Sequence, residues 1–212
     1  MNKLLLKDWY VICRKEEIEE NKILLKYVFD QEIIIWKKKE RIMAWENLCI
    51  HRGSRLSLGS INNGILKCAY HGWEYNQDAQ CVKIPSQPDI KIPKKACVKS
   101  YKVIEKMNMV WINLSKETND FVNIKEFNES NFNHVASGPY IMNASAPRAI
   151  ENFLDVAHFP FVHENHLGVK DKPMIDDYDV VSSNKGIHAS NVKVFQPNPD
   201  GTKKSGEVIY DY

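Results

Sequence analysis

Residues 49–73 read CIHRGSRLSLGSINNGILKCAYHGW, and the spacing of their cysteines and histidines decides the fold of the first half of the chain. Two mixed pairs stand out, Cys49-x-His51 and Cys68-x-x-His71, with sixteen residues between them. Glycine follows each histidine, directly as Gly72 or after Arg52 as Gly53. A structural zinc site usually draws its cysteines from one loop and its histidines from another, whereas here each loop offers one thiolate and one imidazole. That asymmetry suits two metals. A zinc loop of two cysteines and two histidines, or four unrelated polar residues, is the bland alternative.

In a Rieske [2Fe–2S] cluster one iron is held by two cysteines and the other by two histidines, so two loops each giving one of each can clamp it. Neutral imidazoles in place of two thiolates make the cluster less negative, and its expected potential is roughly −150 to +300 mV. Gly53 and Gly72 lack Cβ, which permits positive φ in a tight loop and lets backbone amides approach the sulfurs. The pattern closely resembles the Rieske domain of the Rieske non-haem iron aromatic-ring-hydroxylating oxygenases, down to CxHRG and CxYHGW. Neither loop carries the extra cysteine typical of Rieske proteins in respiratory complexes.

Composition narrows the function classes. With 212 residues, 43% hydrophobic and 26% charged, the chain has the make-up of a globular protein of one large or two small domains. A formal net charge of +2 argues against nucleic-acid binding, and Lys37-Lys38-Lys39-Glu40-Arg41 reads as a solvated hairpin end. Leu4-Leu5-Leu6 is too short for a signal peptide, and no apolar run is long enough for a membrane span. Cys13, Cys81 and Cys97 are an odd remainder and read as reduced thiols, which points to a cytoplasmic protein.

Short segments rich in Ile, Val, Tyr and Trp predict strands at 9–13, 23–29, 32–36, 41–45, 64–68, 73–75, 80–84, 98–104 and 109–114. They suggest a small antiparallel barrel or sandwich over residues 7–115, with both ligand loops projecting from hairpin tips and Asn76-Gln77-Asp78 as a turn. Residues 115–138 are polar, with one short amphipathic helix expected around Phe121, Ile124 and Phe127. A second domain then occupies 116–212. Its helix starts near Ser145 and Pro147 and runs towards Gly168, followed by strands at 180–181, 187–195 and 207–212.

That helix contains a second candidate centre, Asn152-x2-Asp155-x2-His158-x4-His163. Asp155 and His158 are neighbours at i, i+3, with Asn152 one step earlier on the same line. His158 and His163 would stand about 140° apart on a regular helix, too far for one ion, but Pro160 should break or kink it between them. Two imidazoles plus one carboxylate with open positions form the facial triad of non-haem Fe(II) enzymes. The structural alternative is a core helix whose histidines are partnered by backbone. By resemblance to the same oxygenases, which carry N-x(2,3)-D-x2-H-x4-H, His158 and His163 bind a mononuclear Fe(II). Asp155 then bridges to a cluster histidine of a neighbouring subunit in a head-to-tail, trimer-type ring.

The resemblance implies an α+β chain: an all-β Rieske domain, then a partial helix-grip catalytic domain. It implies an oxygenase that passes electrons from [2Fe–2S] to Fe(II) and uses O2 to hydroxylate or oxidatively demethylate a small organic, aromatic substrate. The chain has no Gly-rich dinucleotide fingerprint, so an NAD(P)H-dependent reductase or a ferredoxin would supply electrons. A Rieske-type electron carrier is the alternative, against which residues 116–212 count. Members of the family take a third iron ligand from a carboxylate far beyond the two histidines. None of Asp176, Asp177, Glu207 and Asp211 has that context, so a partial oxygenase is expected.

Overall fold

The computed structural model describes residues 5–184 and 186–212. Two compact units divide at Val135/Ala136. The first is organised by one hairpin, β3 (Gln31–Lys38) and β4 (Arg41–Glu46), in which Ile34 faces Trp45 and Ile35 faces Ala44. Four consecutive apolar residues, Ile33 to Trp36, are all fully buried, as a strand covered on both faces requires. Alternation sends Ile33, Ile35 and Ala44 into a core with Ile12, Tyr101, Val110 and Ile112. The opposite face sends Ile34, Trp36, Met43 and Trp45 into a second core that also contains Cys49 and Cys68.

The first core lies on a six-stranded antiparallel sheet. β1 (Trp9–Arg14), β2 (Leu24–Val28), β9 (Ser100–Lys106) and β10 (Met109–Asn113) join the hairpin in the order β1-β10-β9-β4-β3-β2. The second core carries a four-stranded sheet, β5 (Ser60–Asn62), β6 (Ile65–Lys67), β7 (Glu74–Tyr75) and β8 (Cys81–Lys83), in sequential order. The turn after β7 forms as expected: Asn76 Oδ1 accepts from the amides of Asp78 and Gln80, each at 3.0 Å.

The Cys68 loop joins β6 to β7 and is a hairpin tip. The Cys49 loop is not: it follows β4 and carries the chain from one sheet to the other, a crossing that strand spacing alone does not reveal. In 115–138 the expected amphipathic helix shrinks to a single 3-10 turn, Lys125–Asn128. Phe121 lies outside that turn and packs edge-on against Trp9 and Trp111.

In the second unit α1 (Ala146–Leu154) starts as read, with Ser145 at its N-cap and Pro147 in its first turn. It ends well short of Gly168. Asp155 takes an extended backbone at the C-cap and accepts the Ala157 amide on Oδ1 at 2.9 Å, which turns the chain out of the helix. A one-turn helix, α2 (Phe159–Val162), follows, with Pro160 in its first turn where a missing amide costs nothing. The break therefore precedes Pro160. The anticipated strand at 187–195 is two, β12 (Gly186–Ser190) and β13 (Val192–Gln196), separated at Asn191 with φ of 60°. β11 (Asp179–Ser183) pairs with β12 and β14 (Gly206–Tyr210) with β13. Val156, Phe159, Val192 and Val194 form this unit's core.

Candidate functional site

The two ligand loops have one backbone design. The amides of Cys49 and Cys68 donate to the carbonyls of Ser54 and Trp73, five residues on, at 2.8 and 2.9 Å. The amides of Gly53 and Gly72 donate back to the carbonyls of Cys49 and Cys68 at 2.9 and 3.1 Å. Both glycines have φ of 70°. At Gly53 a Cβ would meet only the Leu48 side chain, at 3.7 Å, so backbone conformation rather than space demands glycine there. The loops match from cysteine to glycine, while the histidine sits one position later in the second.

Both cysteines are buried, and the imidazoles of His51 and His71 meet with ring centres 4.5 Å apart. Nδ1 of His51 is buried without a hydrogen-bond partner, a state that costs about 1–3 kcal/mol unless something else takes up that atom. Burial, then the neighbouring His71 and Arg52, lowers the His51 pKa and keeps the ring neutral, as a metal ligand must be. Burial raises the Cys49 pKa, partly offset by the Tyr75 hydroxyl at 3.1 Å from its Sγ. A thiolate at this depth calls for a cation to compensate it. Two buried thiols, two converging imidazoles and an orphaned ring nitrogen fit a [2Fe–2S] cluster.

Three groups around these loops carry no motif signal. Tyr75 reads in sequence only as a strand residue. Asn47 is 3% exposed and ties down the base of the first loop. Its Nδ2 donates to Glu32 at 2.8 Å and to Ser57 Oγ at 3.0 Å, while its Oδ1 accepts the Ser57 amide at 2.7 Å. Glu32 in turn accepts from Arg55 at 2.6 Å. Asn47 and Tyr75 have one sequence cue, their position just outside the ligand loops, and Glu32 has none.

In the second unit the break falls before both histidines, and His158 and His163 bracket α2 as its N-cap and C-cap residues, ring centres 5.1 Å apart and planes at 60°. His158 Nδ1 is buried without a hydrogen bond, and Asp155 Oδ2 lies 3.5 Å away. Gly168 lets the chain that returns after α2 lie directly on the start of that helix, since a Cβ there would fall 2.7 Å from Pro160 N and 2.9 Å from Pro160 Cα. Asn152 is on the exposed surface of α1 and apart from the pair's hydrogen bonds. Among the described residues no three His, Cys, Asp or Glu side chains are arranged to hold one metal ion. Glu207 pairs with Lys193 at 3.3 Å and Asp211 accepts the Asn191 amide at 3.1 Å, so both acids serve the hairpins. The pair fits two of the three protein ligands of a mononuclear iron.

The Rieske [2Fe-2S] domain model matches residues 8–102, and the C-terminal domain model of the vanillate O-demethylase oxygenase matches residues 142–205. The chain belongs to the Rieske non-haem iron oxygenases. Methylxanthine N1-demethylase NdmA of Pseudomonas putida is 31% identical over 168 residues, covering 75% of this chain and 47% of that protein. The vanillate O-demethylase oxygenase subunit of a Pseudomonas strain is 30% identical over 167 residues, 77% of this chain and 46% of that protein. The chain thus spans about half the length of these curated relatives. A structure of an NdmA variant with theobromine shares the fold, with a TM-score of 0.78 at 24% identity over 98% of this chain and 65% of that one. The Rieske oxygenase family uses a [2Fe–2S] cluster and a mononuclear non-haem iron, and the α+β reading holds. Among the described residues no helix is long and apolar enough to cross a membrane.

Proposed function

We propose that Cys49, His51, Cys68 and His71 hold the [2Fe–2S] cluster, that His158 and His163 hold the mononuclear iron, and that the domains run 7–115 and 116–212. The reading continues to an oxygenase that hydroxylates or oxidatively demethylates a small aromatic compound with O2. The observation that carries it is the convergence of two loops of one backbone design on two buried thiols and two imidazoles. When bound, the cluster accepts and passes single electrons and the iron activates O2.

The chain's own residues supply the setting. The Tyr75 hydroxyl places a hydrogen-bond donor beside the Cys49 sulfur, which favours the more negative, reduced state. Asp155 Oδ2, 3.5 Å from His158 Nδ1 without a hydrogen bond to it, places a negative charge on that side of the ring, which favours a proton on Nδ1 and leaves Nε2 for the metal. Its carboxylate is half-exposed, so it can also take an imidazole N–H from a neighbouring copy in a head-to-tail ring. Electrons come from a separate NAD(P)H-dependent reductase or ferredoxin. All five cysteines are free, which suits a reducing compartment such as the cytoplasm.

The test is spectroscopic. Cys49→Ala or Cys68→Ala should abolish the Rieske EPR signal; either mutant with a wild-type signal sinks the ligand assignment. O2-dependent loss of a methyl group from methylated aromatic compounds, with a reductase supplied, tests the activity.

A further inference from the structure

One aromatic contact crosses between the ligand loops. The indole of Trp73, in the second loop, lies flat on the imidazole of His51, in the first, with ring centres 4.5 Å apart and planes within 8°. The His71 imidazole meets the same ring edge-on, at 4.5 Å and 69°. His51 is partly buried, whereas His71 is exposed and also meets the tilted ring of Tyr70, itself 66% exposed.

The position of Trp73 is fixed from both ends. Its carbonyl accepts the Cys68 amide at 2.9 Å, and its ring packs against the core that contains Cys49 and Cys68. A rotation of the His51 ring about its Cβ–Cγ bond would have to displace the indole. The stack therefore holds the plane of the His51 ring from its face, leaving the buried Nδ1 free of any protein hydrogen bond.

We infer that Trp73 is a positioning residue for the cluster, fixing the ring plane of His51 from the opposite loop and shielding it from water. The inference rests on His51 being a ligand. The negative π face of the indole also lies against a ring that carries more positive charge when the cluster is oxidised, so loss of the indole raises the reduction potential.

The experiment uses the reconstituted full chain as wild type, Trp73→Leu, Trp73→Phe and His51→Ala, read by EPR of the reduced cluster, by redox titration and by the half-life of the chromophore against a chelator. Trp73→Leu is expected to form a cluster with broadened g-values and a higher potential, and to lose it on the order of tenfold faster. Trp73→Phe, which keeps a smaller stacked ring, is expected to restore much of the wild-type linewidth. Wild-type linewidth, potential and half-life in Trp73→Leu, with the Rieske signal lost in His51→Ala, would overturn the inference alone. A Rieske signal retained in His51→Ala overturns the ligand reading beneath it. Where Trp73→Leu does not accumulate as folded protein, Trp73→Met takes its place, and all three quantities at wild-type values there overturn the inference.

Discussion

At the scale of single residues, one hydroxyl tunes what a motif cysteine does. Tyr75 can only donate to a thiolate at Cys49, so Tyr75→Phe removes a stabilising contact from the reduced cluster. A net hydrogen bond of about 1 kcal/mol corresponds to roughly 40 mV for one electron, and redox titration should show a potential lower by about that amount. Glu17 has a carboxyl pKa held below the ordinary value by Lys26 Nζ at 2.5 Å and by the Arg14 amide at 2.8 Å. A depressed folded-state pKa contributes stability that is present above the unfolded carboxylate pKa and lost as pH falls through the folded one. Glu17→Gln should therefore cost up to about 1 kcal/mol in denaturant titrations at pH 7, and the difference should shrink as pH falls below the ordinary carboxylate range.

At the scale of elements, the loops depend on what braces them. Asn47→Ala would strip Glu32, Ser57 Oγ and the Ser57 amide of their shared partner in a buried setting, at a cost of about 2 kcal/mol. Thermal unfolding should show the loss, and the first ligand loop should exchange its amides faster while the β9–β10 pairing keeps its protection. Gly168→Ala would drive a methyl group into the Pro160 backbone, 2.7 Å away, where no flexible atom can yield. α2 and the two histidines that cap it should shift, with iron affinity at the pair reduced more than tenfold and the cluster spectrum unchanged. Asn191 and Asp155 explain why element boundaries escape periodicity: each is a single polar residue that turns the chain inside an apolar pattern.

At the scale of the whole molecule, the two proposed metal sites should differ in tenacity. The cluster site offers four ligands on two braced loops, whereas the described residues bring His158 and His163 together without a third ligand. Anaerobic reconstitution followed by desalting is expected to leave about two irons per chain, all in the cluster. A tightly held third iron would mean that a further acid completes the site. With Fe(II) supplied in the medium, Asp155→Asn should keep the cluster and stop its O2-coupled oxidation in single turnover. Unchanged oxidation there would rule out a bridging carboxylate.

The sequence by itself determined the chemistry of the cluster loops, the all-β character of the first half, the start of α1 and the place of the histidine pair. These are local properties: ligand spacing, glycine conformation, strand alternation and a capped helix start are written within a few residues of each other. Tertiary structure alone decided that the first ligand loop crosses between sheets rather than capping a hairpin, that Tyr75 reaches Cys49, and that Trp73 covers His51. It also decided that Asn47 anchors the loop through Glu32, fifteen positions away. Such contacts depend on the pairing of β3 with β4 and β6 with β7, which sets side chains from distant positions side by side, and no periodicity in either segment carries that information.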